Sequence, residues 1–307
     1  SVEMRANTSP FSGRSGKYVT SRQIRDRLFR EAQSNVALRV EETELPDRLR
    51  VSGRGELHLA ILMETMRREG YEFSVSRPHV ITRPAADGRI EEPYEVVVAD
   101  VPQAMVGVVM QGLGERNGEM TDMEKGDGGL ARLHFRVPSR ALSGYRSEFL
   151  TETRGEGTLH RQFDSYGPWA GDIENRKNGA LVSMVGGTAS GYSLFNLQER
   201  GKLFVKPTDE VYDGMVVGEH ARENDLEVNV TKGKKLTNVR AAGSDDHIVL
   251  EPALEVTLEF GLEFIVEDEL LEVTPDAIRI RKRALNTHER KRDRKVIEAR
   301  AAAGRTG

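Results

Sequence analysis

The 307-residue chain contains no cysteine, which excludes disulfides and thiolate chemistry and fits a reducing compartment. Aromatic residues make up only 6%, with a single tryptophan, so platforms for stacking bases are scarce. No apolar run approaches the roughly 18 residues that a membrane span needs, and no secretory signal opens the chain. The first residues, Ser1-Val2-Glu3-Met4, lack an initiator methionine, the pattern of a truncated or cleaved product. There is no G-x-x-x-x-G-K-[ST] phosphate loop; Thr231-Lys232-Gly233-Lys234-Lys235-Leu236-Thr237 lacks its first glycine and its spacing. The seven histidines (His58, His79, His134, His160, His220, His247, His288) form no short paired spacing for a metal, and no G-x-S-x-G nucleophile elbow occurs.

Charge is abundant instead. Charged residues make up 31% and hydrophobic ones 37%, which favours two or three small domains over one large core. The net charge of −4 hides an asymmetry: from Arg279 onward the chain carries +8, leaving −12 elsewhere. A basic end can bind RNA on a globally acidic protein because phosphates are neutralised locally. The tail after Asn286 is expected to be disordered alone and to order on RNA.

Periodicity predicts βαββαβ twice. In the first copy, Val2–Asn7 reads as a strand, and Thr20-Ser21-Arg22-Gln23 as a capping box opening a helix with Ile24, Leu28 and Ala32 on one face. Val36–Glu41 and Leu49–Val51 read as strands, Glu56–Arg68 as a helix and Tyr71–Val75 as the closing strand. In the second copy, Tyr94–Asp100 is a strand and Pro102 opens a helix. Glu119–Glu124 and Leu130–Val137 form a hairpin, Leu142, Tyr145 and Phe149 mark a helix, and Thr158–Phe163 closes the copy. A hinge is expected near Arg83–Gly88. From Gly171 short strands dominate, with a helix over Ser193–Arg200 and another from Thr257 to Ile265; Tyr192 and Phe204 read as core residues. The fold class is therefore α+β: two ferredoxin-like βαββαβ domains followed by a mainly β C-terminal domain. The expected domains are 1–85, 86–171 and 172–285, with a basic, disordered tail over 286–307.

Ser52-Gly53-Arg54-Gly55-Glu56-Leu57-His58-Leu59, between strand and helix, resembles the third domain of translational GTPases related to elongation factor G. Glu92–Trp169 resembles their fifth domain. Asn178-Gly179-Ala180-Leu181-Val182, Leu197-Gln198-Glu199-Arg200-Gly201-Lys202-Leu203-Phe204 and Gly233-Lys234-Lys235-Leu236-Thr237-Asn238 look like the C-terminal domain of the BipA/TypA family. The resemblance implies a cytoplasmic, monomeric ribosome-binding protein without membrane association. Its partners would be the 70S ribosome, 23S rRNA and the acceptor end of A-site tRNA, and its role large-subunit assembly and adaptation to stress or cold. It also implies that GTP and magnesium belong to a GTPase domain absent here, so this chain is expected to hold no cofactor and to hydrolyse no GTP.

The strongest binding candidate is the loop with Lys232, Lys234, Lys235, Asn238 and Arg240, where four cations fall within nine residues. On composition it is an ordinary solvated loop; the resemblance makes it an RNA contact. Arg200 and Lys202 flank Gly201, where compensation of a helix C-terminus is the simpler reading. His220 and Arg222 end a strand, and Arg281-Lys282-Arg283 forms a dense basic cluster suited to phosphate. Arg54 has two roles open to it, a turn residue and a ribosome contact. Rival functions are a hydrolase using carboxylates such as Glu267 and Asp268, and a protein-interaction scaffold that binds no RNA.

Overall fold

In the first strand, Val2 and Met4 alternate with Glu3 and Arg5, so one face of β1 (Val2–Ala6) is buried. A computed structural model describes residues 1–126, 129–171, 173, 176–233 and 249–292. α1 (Ser21–Ser34) opens on the expected capping box: Thr20 Oγ1 accepts from the Gln23 N–H, and Gln23 Oε1 accepts from the Thr20 N–H. β2 (Arg39–Glu42), β3 (Arg48–Ser52), α2 (Glu56–Arg68) and β4 (Phe73–Val75) complete βαββαβ, antiparallel in the order β2-β3-β1-β4. β2 begins later than its sequence suggests because Val36 stands in solvent.

Residues 78–175, with Ser1, make a compact unit of their own. Here β5 (Arg83–Pro84) pairs with the start of β6 (Ile90–Pro102), so the expected hinge is one arm of a hairpin. Pro102 ends β6 rather than opening a helix; a 3₁₀ turn, Gln103–Met105, intervenes before α3 (Val106–Glu115). β7 (Glu119–Lys125), β8 (Leu130–Pro138), α4 (Tyr145–Glu152) and β9 (Thr158–Pro168) follow. The strand order β7-β8-β6-β9 repeats that of the first copy. Val97, Leu113, Leu133, Phe135, Tyr145 and Phe149 fill its core.

The third segment is mainly β, as its sequence suggests. It contains β10 (Ala180–Ser183), β11 (Gly187–Thr188), α5 (Gly191–Leu197), β12 (Gly201–Leu203), β13 (Glu210–Val211), β14 (Met215–His220) and β15 (Leu226–Val228). α6 (Leu258–Phe264), capped by the Thr257 hydroxyl, then leads to β16 (Glu269–Val273) and β17 (Ile278–Lys282). Phe204 packs edge-on against Phe260 and Phe264 as a core residue, whereas Tyr192 is exposed.

β16 pairs antiparallel with β4, from Phe73↔Val273 to Leu271↔Val75. The first ferredoxin-like sheet thereby continues into the C-terminal segment as ten strands in the order β15-β10-β14-β17-β16-β4-β1-β3-β2, with β12 also on β14. β4 would otherwise be an open edge with unpaired backbone groups. Residues 2–77 and the described residues from Arg176 onward thus form one compact unit. One apolar core runs the length of this sheet, from Ile24, Leu28, Leu62 and Met66 to Leu262, Leu271 and Ile280. A second, around Leu181, Leu194, Val205, Val217 and Val230, serves the C-terminal part.

Polar groups stitch the same junction. Glu272, fully buried, accepts from Asn7 Nδ2 (3.0 Å), Ser9 Oγ (2.9 Å), Tyr212 OH (2.5 Å) and Arg279 Nη1 (3.3 Å). Glu72, also fully buried, accepts from Asn7 Nδ2 and from the Gly13 and Gly16 backbone N–H groups. The first residues of the expected tail are tied down: Arg290 pairs with Glu227 (3.0 Å) and Asp213 (3.5 Å). Residues 293–307 lie outside the described residues.

Candidate nucleic-acid interface

β12 lies antiparallel on β14, with Gly201 opposite His220 and Lys202 opposite Glu219. The pairing carries Arg200 beside Ala221, whose N–H donates to the Arg200 carbonyl (2.8 Å), and so brings Arg200, Lys202 and Arg222 to one end of the sheet. All three side chains are exposed, and none has a carboxylate within ion-pair distance among the described residues. Glu199 and Glu223, their neighbours in sequence, are exposed as well. Lys232 is likewise exposed and unpaired among the described residues; its carbonyl accepts from the hydroxyl of Ser190, the residue that caps α5. Lys234, Lys235, Asn238 and Arg240 lie outside the described residues.

Three other expected contacts are internal. His220 is buried, with Nδ1 2.6 Å from the Asn224 carbonyl oxygen, and fixes the turn after β14. Lys282 is buried among Asp225 (2.5 Å), Glu269 (2.9 Å) and Asp268 (3.0 Å). Burial alone would lower its pKa; these three carboxylates reverse the sign and hold it above the usual lysine value. Arg281 is buried too, its Nη2 donating to Thr8 Oγ1 (2.9 Å). Of the Arg281-Lys282-Arg283 cluster, Arg283 alone is therefore exposed. Arg54 is exposed at the entry to α2, where its backbone N–H donates to His58 Nδ1 (3.2 Å), so the turn role has a direct structural basis.

The carboxylates of the hydrolase reading are counter-ions: Asp268 faces Lys282, and Glu267 lies 3.5 Å from Arg77. A cavity of about 410 Å³ is bordered by Arg5, Arg22, Arg25, Asp26 and Asp47 and contains neither of them. Among the described residues no three His, Asp or Glu converge to hold a metal ion. The sequence also has no phosphate loop to cradle a nucleotide with its magnesium ion. No helix among the described residues is long and apolar enough to cross a membrane.

Glu64 on α2 provides a test of surface electrostatics. Arg67 and Arg68 grip its carboxylate at 2.7 Å each and hold its pKa down to about 2. A carboxylate whose pKa is lower folded than unfolded stabilises above its unfolded value and loses that contribution as pH falls through the folded one. Glu64→Gln should cost about 0.5–1 kcal/mol at pH 6 and almost nothing at pH 2, a surface-pair magnitude. Urea unfolding at the two pH values checks it.

The TypA/BipA C-terminal domain matches residues 178–287, and the elongation factor G C-terminus matches residues 89–177. Large ribosomal subunit assembly factor BipA of Haemophilus influenzae is 55% identical over 287 residues, covering 93% of this chain and 46% of that protein. The proteins of the same name from Escherichia coli K12 (55%) and Bacillus subtilis (53%) are matched over 93% of this chain and 47% of their own length. These likenesses define a protein built from the domains of elongation-factor-G-type translational GTPases. More narrowly, the chain belongs to the BipA/TypA family and carries its C-terminal domains; it spans about half the length of the curated relatives it matches.

Proposed function

We propose that this chain is the ribosome-facing part of a translational GTPase that serves large-subunit assembly. The observation that carries the reading is the set of exposed cations without carboxylate partners among the described residues: Arg200, Lys202, Arg222 and Lys232. Other arginines of the same unit, such as Arg27, Arg67 and Arg176, are held by carboxylates. Unpaired exposed cations keep their charge available for phosphates. The name shared by the relatives supports assembly of the large subunit as the setting.

On this reading the loop of Lys232, Lys234, Lys235, Asn238 and Arg240 touches 23S rRNA and the acceptor end of A-site tRNA, and Arg200, Lys202 and Arg222 contact RNA as well. Arg54 and Arg283 are further surface contacts. The parent protein acts in the cytoplasm on the 70S ribosome, hydrolyses GTP with magnesium in a domain outside this chain, and supports growth under stress or cold.

Ribosome pelleting across a salt series tests this. Lys232, Lys234 and Lys235 changed together to Ala should weaken binding. The slope of log K against log salt should fall by about 0.7–0.9 for each phosphate no longer neutralised, or roughly 2–3 for the triple variant. Arg200, Lys202 and Arg222 changed together should act in the same direction. Unaltered affinity and slope in both variants would remove these cations from the mechanism.

A further inference from the structure

Strands β1 and β3 and the end of β17 carry a group of cations of which the ribosome reading uses only Arg283. Arg5 on β1 stands directly opposite Arg48 on β3. Like charges in such a cross-strand pair repel. Arg281 reaches in from β17, its Nη2 on the hydroxyl of Thr8, three residues beyond Arg5. Arg283 follows on the same strand end. Arg281, Arg48 and Arg283 all act on Arg5, which burial first and these charges second push down to about 10.

Their donors are only partly used: Arg48 Nη1 donates to Glu3 (3.4 Å), Arg281 Nη1 to the Lys282 carbonyl (3.3 Å) and Arg283 Nη2 to the Glu267 carbonyl (2.6 Å). Arg5 Nε, Arg48 Nε and Arg281 Nε are each buried with no hydrogen-bond partner. Arg5, Arg281 and Arg283 have no carboxylate within ion-pair distance among the described residues, and Arg281 is 1% exposed. The charge is partly offset: Glu3 accepts from Arg48 Nη1 at 3.4 Å, Asp47 lies 4.0 Å from Arg48 Nε and also acts on Arg5, and Glu272, which acts on Arg281, is held by Tyr212 and Arg279. Buried guanidinium groups are ordinarily paired, and orphaned buried donors are rare. Three such donors beside mutually repelling cations need a small group with several acceptor oxygens and negative charge. A tetrahedral oxyanion meets that description.

We propose that Arg5, Arg48, Arg281 and Arg283 form a receptor for a phosphate group at the junction of the N-terminal and C-terminal segments. Arg281 lies inside the unit, and Arg5 and Arg48 are partly open, so the group enters from the Arg5–Arg48 side. Because Thr8 and β1 belong to one segment and β17 to the other, an occupied receptor clamps the shared sheet. The phosphate comes from free inorganic phosphate or from a phosphodiester at a nucleic-acid surface. The receptor does not depend on the ribosome reading.

The test is calorimetric titration of the full chain with sodium phosphate against sodium chloride at matched ionic strength, backed by phosphorus-31 line broadening. A ten-nucleotide RNA serves as a second titrant and as a competitor. One saturable phosphate per chain is expected, weakened at least about tenfold in Arg5→Gln and in Arg48→Gln by removal of a charge-assisted hydrogen bond. These two residues are partly exposed, so both variants fold; without phosphate Arg5→Gln should be no less stable, because it removes repulsion. Competition by the RNA assigns the site to a phosphodiester, and its absence assigns it to free phosphate. Binding of RNA alone, abolished in both variants, likewise supports the phosphodiester. No saturable binding of either titrant, or binding unchanged in both variants, overturns the receptor. Loss of the receptor with ribosome pelleting intact leaves the proposed function standing.

Discussion

Glu272→Ala should lower the stability of the unit formed by residues 2–77 and the C-terminal segment by about 3–5 kcal/mol, the range for breaking a buried ionic network by removing one member. The carboxylate is fully buried and accepts from Asn7, Ser9, Tyr212 and Arg279. Alanine would leave the Arg279 guanidinium and the Tyr212 hydroxyl without that acceptor, each orphaned donor costing about 1–3 kcal/mol. Asn7 suffers less, because Glu72 still accepts from it at 2.8 Å. Burial first and Glu272 second raise the Tyr212 hydroxyl well above its ordinary pKa, so it remains a donor across the accessible pH range. Glu272→Gln keeps the volume and one acceptor and should cost less than the alanine change. Urea unfolding gives the midpoints. Amide hydrogen exchange in β4 and β16 should accelerate together, since the two strands are paired. A loss under about 1 kcal/mol in Glu272→Ala would mean that the network contributes little.

Gly201→Ala should be comparably severe, at about 3 kcal/mol or more, for a backbone reason. Gly201 has φ +156°, and a Cβ there would meet the Glu219 carbonyl oxygen at 1.9 Å. That clash is between the Cβ and the backbone of the paired strand, so no rotamer change relieves it. The unusual φ costs about 1–3 kcal/mol alone, and the overlap adds separation of the strands. Because Gly201 sits between Arg200 and Lys202, the variant should also scatter the cationic edge and weaken ribosome pelleting. Lys202→Ala would reduce pelleting without the stability loss, which separates the two effects.

Much of this architecture is legible in the sequence because it rests on local chemistry. The Thr20–Gln23 box, the apolar stripes of α1 and α2 and the alternation of β1 each act within a few residues, and they recur in the structure. Thr257 caps α6 for the same reason. What could not be read depends on partners distant in the chain. Ser74 looks like the solvent-facing position of an alternating strand, yet it is fully buried because β16 extends the sheet past β4. Arg281 and Lys282 look like a phosphate-binding run. Their burial follows from Thr8, Asp225, Asp268 and Glu269, and no spacing within β17 announces it. The opposition of Arg5 and Arg48 was similarly hidden, because register across a sheet is set by pairing rather than by proximity in sequence. The edge cations Arg200, Lys202 and Arg222 were visible singly; their convergence needed the β12–β14 ladder.

The β4–β16 seam bears on how the chain is made. Strand partners separated by roughly 200 residues meet only after the later one has been synthesised. At about 5–20 residues per second, the first 77 residues wait on the order of 10–40 s before β16 emerges. During that interval the β4 edge has no partner strand. Nascent chains of this protein are therefore natural clients for chaperones, and their demand for them should end when Val273 clears the exit tunnel.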